Sequence, residues 1–308
     1  MKILVLGGTG SIGSEIVRQL LKTSPDVIRI YSRSEEKQFN LKQELGNNKN
    51  IRFLIGDIRD PDRLYDAMEG IDYVFNTAAM KHVELCEYNP MEAVKTNVMG
   101  TENVIQCAKQ QGVKKVIAIS TDKSVNPVNV MGITKKLSES LITHANQSCD
   151  TTVFSCVRFG NVLGSSGSLV PIIRKQIAEG KEVTLTDTRM TRFIMTIPDA
   201  VKLAIDVLDK MQGGEIFILK MPSVSIMDLI DVVVGSSSYG VKVIGKRTGE
   251  KLYEELLSEE ELPYAEESDR YFVITDKECH VDIDKKLYDS RYADYLSVKK
   301  IKKIVDKL

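Results

Sequence analysis

The sequence predicts an α/β fold: a Rossmann-type doubly wound parallel sheet with a small C-terminal substrate-binding lobe. Three observations carry that expectation. Short β-branched runs alternate with segments of helical periodicity through the first half of the chain, a cluster of glycines separates the first run from the first helical segment, and the alternation gives way after Arg158 to shorter, charge-dense elements.

The strand runs are ILVL at the start, IRIYS around Ile30, IRFLI at 51–55, DYVFN at 72–76, VIAIS at 116–120 and TVFSCV at 152–157. Each has strand length and is rich in residues that fit a pleated surface. Segments 12–23, 36–45, 61–69, 90–111 and 131–147 carry apolar residues at helical spacing and supply the crossovers. Past Arg158, FGNVLGSSGSLVP reads as a Gly- and Ser-rich loop, PDAVKLAIDVLDKM as a helix, and EIFILK as a last strand of the sheet. The expected division is a sheet domain at 1–160, with 199–219 returning to it, and a lobe from 161–198 and 220–308.

Composition narrows the partners. Of 308 residues 43% are hydrophobic and 28% charged, enough apolar material for a substantial core. Lys plus Arg total 42 against 43 Asp plus Glu, so the net charge of -1 leaves no general footprint for nucleic acid or an anionic membrane. No run approaches the roughly 18 apolar residues that span a bilayer, and KILVLGG is too short for a signal peptide. Membrane insertion is therefore not expected. The cysteines at 86, 107, 149, 156 and 279 form no CxxC pair, which fits a reducing, cytoplasmic setting and argues for no metal site.

The glycines point to a ligand. Gly7, Gly10 and Gly13 in GGTGSIG, interleaved with Thr9, Ser11 and Ile12, lie between strand and helix, where missing side chains let the backbone approach a pyrophosphate at a positive helix terminus. About 20 residues on, where an acid would bind the ribose of NAD, the chain has Tyr31, Ser32 and Arg33, with Lys37 following. That pattern suits a 2'-phosphate, so NADP is expected over NAD. Asp57 and Ile58 in IGDIRD, and Ala78 and Ala79 in NTAAMKHV, follow later strands at the edge where ligands bind. Asp57 either pairs with the adenine amino group or caps the helix near Pro61.

In ISTDKSVNPVNVMGITKK, Thr121, Asp122 and Lys123 leave a strand while Met131 and Lys135 stand one helical turn apart. This arrangement resembles the active site of the short-chain dehydrogenases, in which a Ser or Thr works with Tyr-x-x-x-Lys. Thr121 and Lys135 match; Met131 takes the Tyr position, and a thioether transfers no proton. The segments YSRSEEKQ, GDIRD, AAMKHVELCEYNPMEAVKTNVMGTENV, STDK, RFGNVLGSSGSLVP, MTRF and RTGEK extend the likeness over nearly the whole chain. Together they resemble the UDP-N-acetylglucosamine 4,6-dehydratases of bacterial capsule, flagellar-glycan and O-antigen pathways, an extended short-chain dehydrogenase group in which some members also carry Met for Tyr.

The resemblance implies a hydro-lyase acting on UDP-N-acetylglucosamine or a related UDP-sugar and giving a UDP-4-keto-6-deoxy-N-acetylhexosamine. It implies that Lys135 holds the nicotinamide ribose, Lys123 serves sugar carbon 5 and Asp122 the 6-hydroxyl. Thr121 would position the 4-oxygen, whose proton goes to Asp122, Lys135 or an ordered water. Neighbouring positive charge is expected to lower a lysine pKa enough for base work. Lys81 and His82 would face the sugar, and Asn161, Gly167, Ser168 and Leu169 would form the loop over the diphosphate. Arg192, with Arg247 and Glu250 in RTGEK, would contact diphosphate and ribose. The helices 90–111 and 131–147 correspond to those that pair in this superfamily, implying a homodimer or higher homo-oligomer. Two rivals remain: a UDP-sugar 4-epimerase or 4-keto reductase, which relies on the absent Tyr, and an inactive NADP-sensing protein, motivated by Met131 alone.

Overall fold

The computed structural model describes residues 1–165, 167–235, 240–279 and 282–308. Among these, nine strands form the main sheet in the order Ala265–Glu267, Tyr271–Ile274, Ile216–Leu219, Val153–Phe159, Lys115–Thr121, Tyr73–Asn76, Lys2–Leu6, Val27–Ser32 and Ile51–Ile55. Counted along the chain, the first six strands run three-two-one-four-five-six, the doubly wound order. Its direction reverses between Lys2–Leu6 and Tyr73–Asn76, and ligands bind at the crevice outside such a reversal. Crossover helices cover both faces, which is why Ile3, Leu4, Val5 and Leu6 are all fully buried and the strand reads as one apolar run. The first helix, Ser11–Leu21, turns Ile16, Val17 and Leu20 to the same core.

Three local departures from the sequence reading have physical causes. The stretch 220–308 is not confined to the lobe. Tyr271–Ile274 pairs antiparallel with Ile216–Leu219 and carries Ala265–Glu267 on its outer side. All four residues of Ile216–Leu219 are buried, and an apolar strand left as the sheet's edge would be open to aggregation. The segment FGNVLGSSGSLVP, expected as a loop, contains the strand Asn161–Leu163 and the start of the helix Leu169–Ala178. The helix at 90–111 changes pitch: Pro90–Ala93 and Gly100–Gln111 are α, but Val94–Met99 is a π turn. A short helix at Val83–Tyr88 precedes it.

Outside the main sheet, Asn161–Leu163, Thr191–Thr196 and Ser223–Ser225 make a three-stranded sheet, and Val183–Leu185 pairs with Val241–Val243. These pack their own apolar clusters, one around Val170, Ile194 and Val224 with Ile301 and Val305 of the C-terminal helix Val298–Val305, another around Ile173, Val183 and Ile230.

Candidate active site

The glycine loop meets the requirements of a dinucleotide cradle. Gly7 has φ +73°, and a Cβ there would stand 2.8 Å from Thr77 Oγ1 and 2.9 Å from Ala78 Cα. A Cβ on Gly13 would lie 2.4 Å from the Gly7 carbonyl oxygen. The helix that follows is capped by Gly10 without any side-chain hydrogen bond and has no acidic residue in its first turn. Its leading amides are thus open to an anion. The backbone around Thr9, Ser11 and Ile12 belongs to this turn, and Ala78 and Ala79 follow the neighbouring strand Tyr73–Asn76 across the sheet's reversal point.

At the end of the second strand the Ser32 hydroxyl accepts a hydrogen bond from Gln38 Nε2 at 3.1 Å. Arg33 is more than half exposed and stands 3.7 Å from Asp57 Oδ2. Asp57 also takes two hydrogen bonds from the Arg59 side chain, at 2.9 and 2.6 Å. Burial would push the Asp57 pKa up, but Arg59 and then Arg33 outweigh it and hold the carboxyl below its usual range. The helix Pro61–Met68 is capped by Asp60, which accepts from Arg63 N, so Asp57 is not the cap. Ile58 beside it is buried, its carbonyl accepting from Asn103 Nδ2.

The strand Lys115–Thr121 ends in the tight turn Asp122–Ser124, which compresses three polar groups into one chain of hydrogen bonds. Thr121 Oγ1 donates to Asp122 Oδ1 at 3.0 Å. Lys123 Nζ donates to the same oxygen at 2.9 Å and to Asn161 Oδ1 at 3.0 Å. The Asp122 side chain has no exposed surface, while Lys123 keeps 22% of its own. Asp122 can therefore exchange protons with a ligand only through Thr121 or Lys123. Burial would lower the Lys123 pKa, yet Asp122 and Glu254 overcome it, so the lysine sits above its ordinary value. The expectation of a lysine lowered by positive neighbours fails here because the nearest charges are carboxylates.

Asn129 caps the next helix, Val130–His144, accepting from Gly132 N at 2.7 Å. Met131 is 3% exposed and packs against Cys86 and Ala93, with Met80, Val83 and Val130 around them. Lys135, one turn on, donates to the Ile119 carbonyl at 2.6 Å, and burial holds its pKa below the ordinary value.

The remaining residues singled out from sequence separate into two groups. Asn161 comes to Lys123, while Gly167, with φ +71°, lies so near His82 that a Cβ would stand 2.5 Å from the ring. Ser168 leads into the helix beginning at Leu169, and its buried hydroxyl has no hydrogen-bond partner among the described residues. Burial and then the charge of Lys37 push the Lys81 pKa down. His82 is likewise lowered, by burial and then by Lys81. Arg192, by contrast, is buried and spends its guanidinium on the carbonyls of Thr191, Lys251 and Leu252. Its donors anchor the RTGEK segment from behind. Arg247 is more than half exposed, 3.6 Å from Glu84, and its backbone N–H donates to Glu250.

Sequence reasoning missed Glu254, 3.6 Å from Lys123 Nζ and almost fully buried. It also missed the buried Arg158, whose guanidinium bonds both Glu139 and Glu261. Glu139 in turn accepts from Ser124, which also donates to the Thr121 carbonyl. In the sequence these glutamates look like solvated helix or lobe charges; their partners come from distant segments.

The family described as polysaccharide biosynthesis protein matches residues 3–276. The chain belongs to that family. A Campylobacter jejuni UDP-N-acetylglucosamine 4,6-dehydratase (inverting) is 46% identical over 286 residues, covering 92% of this chain and 85% of that one. A Methanocaldococcus jannaschii protein described as an uncharacterized membrane protein is 53% identical over 318 residues, covering 99% and 95%. Among the described residues no helix of the present chain is long and apolar enough to cross a membrane. A Rickettsia bellii UDP-glucose 4-epimerase is 43% identical over 280 residues, covering 88% and 82%. Among solved structures, Pen from Bacillus thuringiensis is 43% identical with a TM-score of 0.94, covering 99% and 97%. The fold also matches, at 24% identity and TM-score 0.74 over 82% of this chain and 87% of that one, a Streptomyces venezuelae dTDP-glucose 4,6-dehydratase whose structure contains NAD. The expected family is borne out, as is the Rossmann-type α/β fold, and the chain is an enzyme of the nucleotide-sugar dehydratase and epimerase group.

Proposed function

We propose that this polysaccharide biosynthesis protein is an NADP-dependent UDP-N-acetylglucosamine 4,6-dehydratase that inverts carbon 5 and works in the cytoplasm as a homo-oligomer. The observation that carries the reading is the replacement of a proton-transferring Tyr by Met131, buried among apolar side chains, beside a Lys123–Asp122 ion pair open to the cleft on the lysine side. The 46% identical inverting dehydratase supports the choice of sugar and stereochemistry.

In this reading 1–160 with 199–219 bind the cofactor, and 161–198 with the remainder of 220–308 bind the sugar nucleotide. The pyrophosphate of NADP would lie on the Gly7–Gly13 turn, its 2'-phosphate against Ser32, Arg33 and Lys37, and its nicotinamide ribose against Lys135. Asp57, Ile58, Ala78 and Ala79 line the rest. The cofactor supplies hydride acceptance from sugar carbon 4 and hydride return to carbon 6. Thr121 orients the 4-hydroxyl, whose proton leaves to Lys135 or an ordered water as carbon 4 gives up its hydride, and a solvent-derived proton completes carbon 5 on its other face. Lys123 rests as an ammonium and hands its proton to Asp122 Oδ1, 2.9 Å away, which makes a neutral amine and a carboxylic acid from one ion pair. The amine takes the carbon 5 proton, and Asp122, through Thr121 or Lys123, protonates the departing 6-hydroxyl. Lys81, His82 and Asn161 flank the sugar; Gly167, Ser168, Leu169, Arg247 and Glu250 flank the diphosphate and ribose, with Arg192 bracing that last segment.

A second reading, UDP-sugar 4-epimerization, draws on the 43% identical relative of that name. Proton NMR of the product formed from UDP-N-acetylglucosamine in deuterated water separates them. A 4-keto-6-deoxy sugar with inverted carbon 5 carrying deuterium is expected; a 4-epimer with its 6-hydroxyl intact would overturn the dehydratase assignment.

A further inference from the structure

Lys123 stands between two carboxylates, and only one is its chain neighbour. Asp122 holds one side; on the other, Glu254 Oε1 lies 3.6 Å from Nζ. The Glu254 side chain is 3% exposed, and its Oε2 has no hydrogen-bond partner among the described residues. Its backbone is fixed on both sides by Ser290, whose Oγ accepts from Glu254 N at 2.9 Å and whose N donates to Glu254 O at 3.0 Å. A buried carboxylate with an unused oxygen costs several kcal/mol unless a nearby charge compensates it. The cations within reach are Lys123, Arg192 at 3.9 Å and Lys251 at 3.9 Å. Arg192 and Lys251 are both hydrogen-bonded to backbone carbonyls, Lys251 to Val125 at 2.6 Å. Lys123 is thus the closest of the three and has the most exposed side chain, 22% against 10% for Arg192 and 15% for Lys251.

We propose that Glu254 is a positioning residue for Lys123: its carboxylate, delivered by the C-terminal segment, completes an Asp122–Lys123–Glu254 cluster that fixes the place and the charge of the lysine amine. The inference rests on the reading of Lys123 as the base at carbon 5, and it deepens it. A second anion beside the amine makes it the stronger base once Asp122 has taken its proton. It also ties assembly of the base to docking of the 247–256 segment, which bonds the cap of the helix Val130–His144 where Asn129 Nδ2 donates to the Gly249 carbonyl at 2.8 Å. Asp122 and then Glu254 raise Lys123 against its burial, while burial, the largest cause, raises Glu254 against the opposing charge of Lys123.

The test compares wild type, Glu254→Gln and Glu254→Asp by two measurements. The first needs no turnover: trace acetylation by acetic anhydride near neutral pH, read by peptide mass spectrometry as the rate at Lys123 relative to the exposed Lys175. Only the free amine reacts. Loss of the anion in Glu254→Gln should accelerate Lys123 labelling about three- to tenfold, and Glu254→Asp, with its carboxylate withdrawn by one methylene, should fall between. The second is kinetic: Glu254→Gln should lower kcat by about tenfold or more with KM nearly unchanged, and should move the alkaline limb of the pH profile to lower pH, with partial recovery in Glu254→Asp. Unchanged labelling and an unchanged limb in a Glu254→Gln protein that melts and binds NADP like wild type would overturn the proposal. Should Glu254→Gln not fold, wild-type labelling of Lys123 in Glu254→Asp would do the same. A wild type that labels as expected but makes no 4-keto product would sink the dehydratase reading and leave the Glu254–Lys123 coupling standing.

Discussion

Met131 separates an active enzyme from a cofactor-binding protein that has lost its chemistry. The side chain is 3% exposed and fills a small apolar cluster with Cys86, Ala93, Met80 and Val83. Met131→Leu conserves volume and should cost less than about 1.5 kcal/mol of stability. Met131→Ala leaves a cavity between helices and should cost about 2–5 kcal/mol, seen as a lower melting temperature. Neither removes a proton-transferring group, so turnover of the Leu variant should remain within about tenfold of wild type. Lys123→Ala and Asp122→Asn remove the ion pair from which base and acid are made, and should each lower kcat by ~100-fold or more. The assay is formation of the 4-keto product followed by proton NMR, alongside melting curves with and without NADP. A Met131→Leu protein that melts like wild type but has lost a hundredfold in kcat would refute the reasoning, since packing alone could not account for it.

Other consequences follow from the same geometry. Arg33→Ala should weaken NADP by about 1–3 kcal/mol while leaving NAD affinity unchanged, measured by titration calorimetry; equal losses for both would count against a 2'-phosphate contact. Ile133 and Leu137 are exposed on the helix Val130–His144, near exposed Met91 and Met99 of the preceding helical segment, so light scattering should show a dimer or larger assembly that Leu137→Asp reduces to monomers. Glu261 is opposed by burial but held down to about 2 by Arg158 and Lys136, from an ordinary 4.5. Its stabilisation is therefore complete above about 4.5 and lost as pH falls toward 2, about 3 kcal/mol in all, so acid melting curves should steepen across that window. Arg158→Met, which leaves Glu139 and Glu261 facing each other, should destabilise by about 3–5 kcal/mol near neutral pH and recover part of the loss in acid.

Much of the sheet was legible because its strands are buried on both faces and announce themselves as apolar runs, and because the glycine turn has a local geometry that only certain residues satisfy. Thr121, Asp122 and Lys123 were legible for the same reason: one strand end holds all three. What escaped was set by long-range pairing. Tyr271–Ile274 is a short run in charged surroundings, and only the buried Ile216–Leu219 beside it reveals why it must be a strand. Glu254 reads as one more acid in KLYEELLSEEEL until the fold brings it to Lys123. Asp57 was read as a possible cap of the helix near Pro61, but Asp60 directly precedes that helix and caps it, while Asp57 pairs with Arg59 and Arg33.

The charges the sequence hid are the ones that join the two parts of the site. Ser124 links the catalytic turn to Glu139, Glu139 to Arg158, and Arg158 to Glu261 and the Leu256 carbonyl of the C-terminal segment. From the same segment Lys251 reaches back to Val125, and Glu254 to Lys123. An ion network this deeply buried is weak as a source of stability, because desolvation offsets most of its attraction. Its specificity is another matter: Glu261 meets Arg158 and Glu254 meets Lys123 in this docking of the segment, so a misplaced segment would leave buried charge unpaired. In the proposed dehydratase, with Met131 in the tyrosine position, the site depends on a lysine whose charge state must be set by neighbours, and one of those neighbours comes from the 247–261 stretch. On that reading, correct docking of the C-terminal segment and a competent Lys123 are the same structural event.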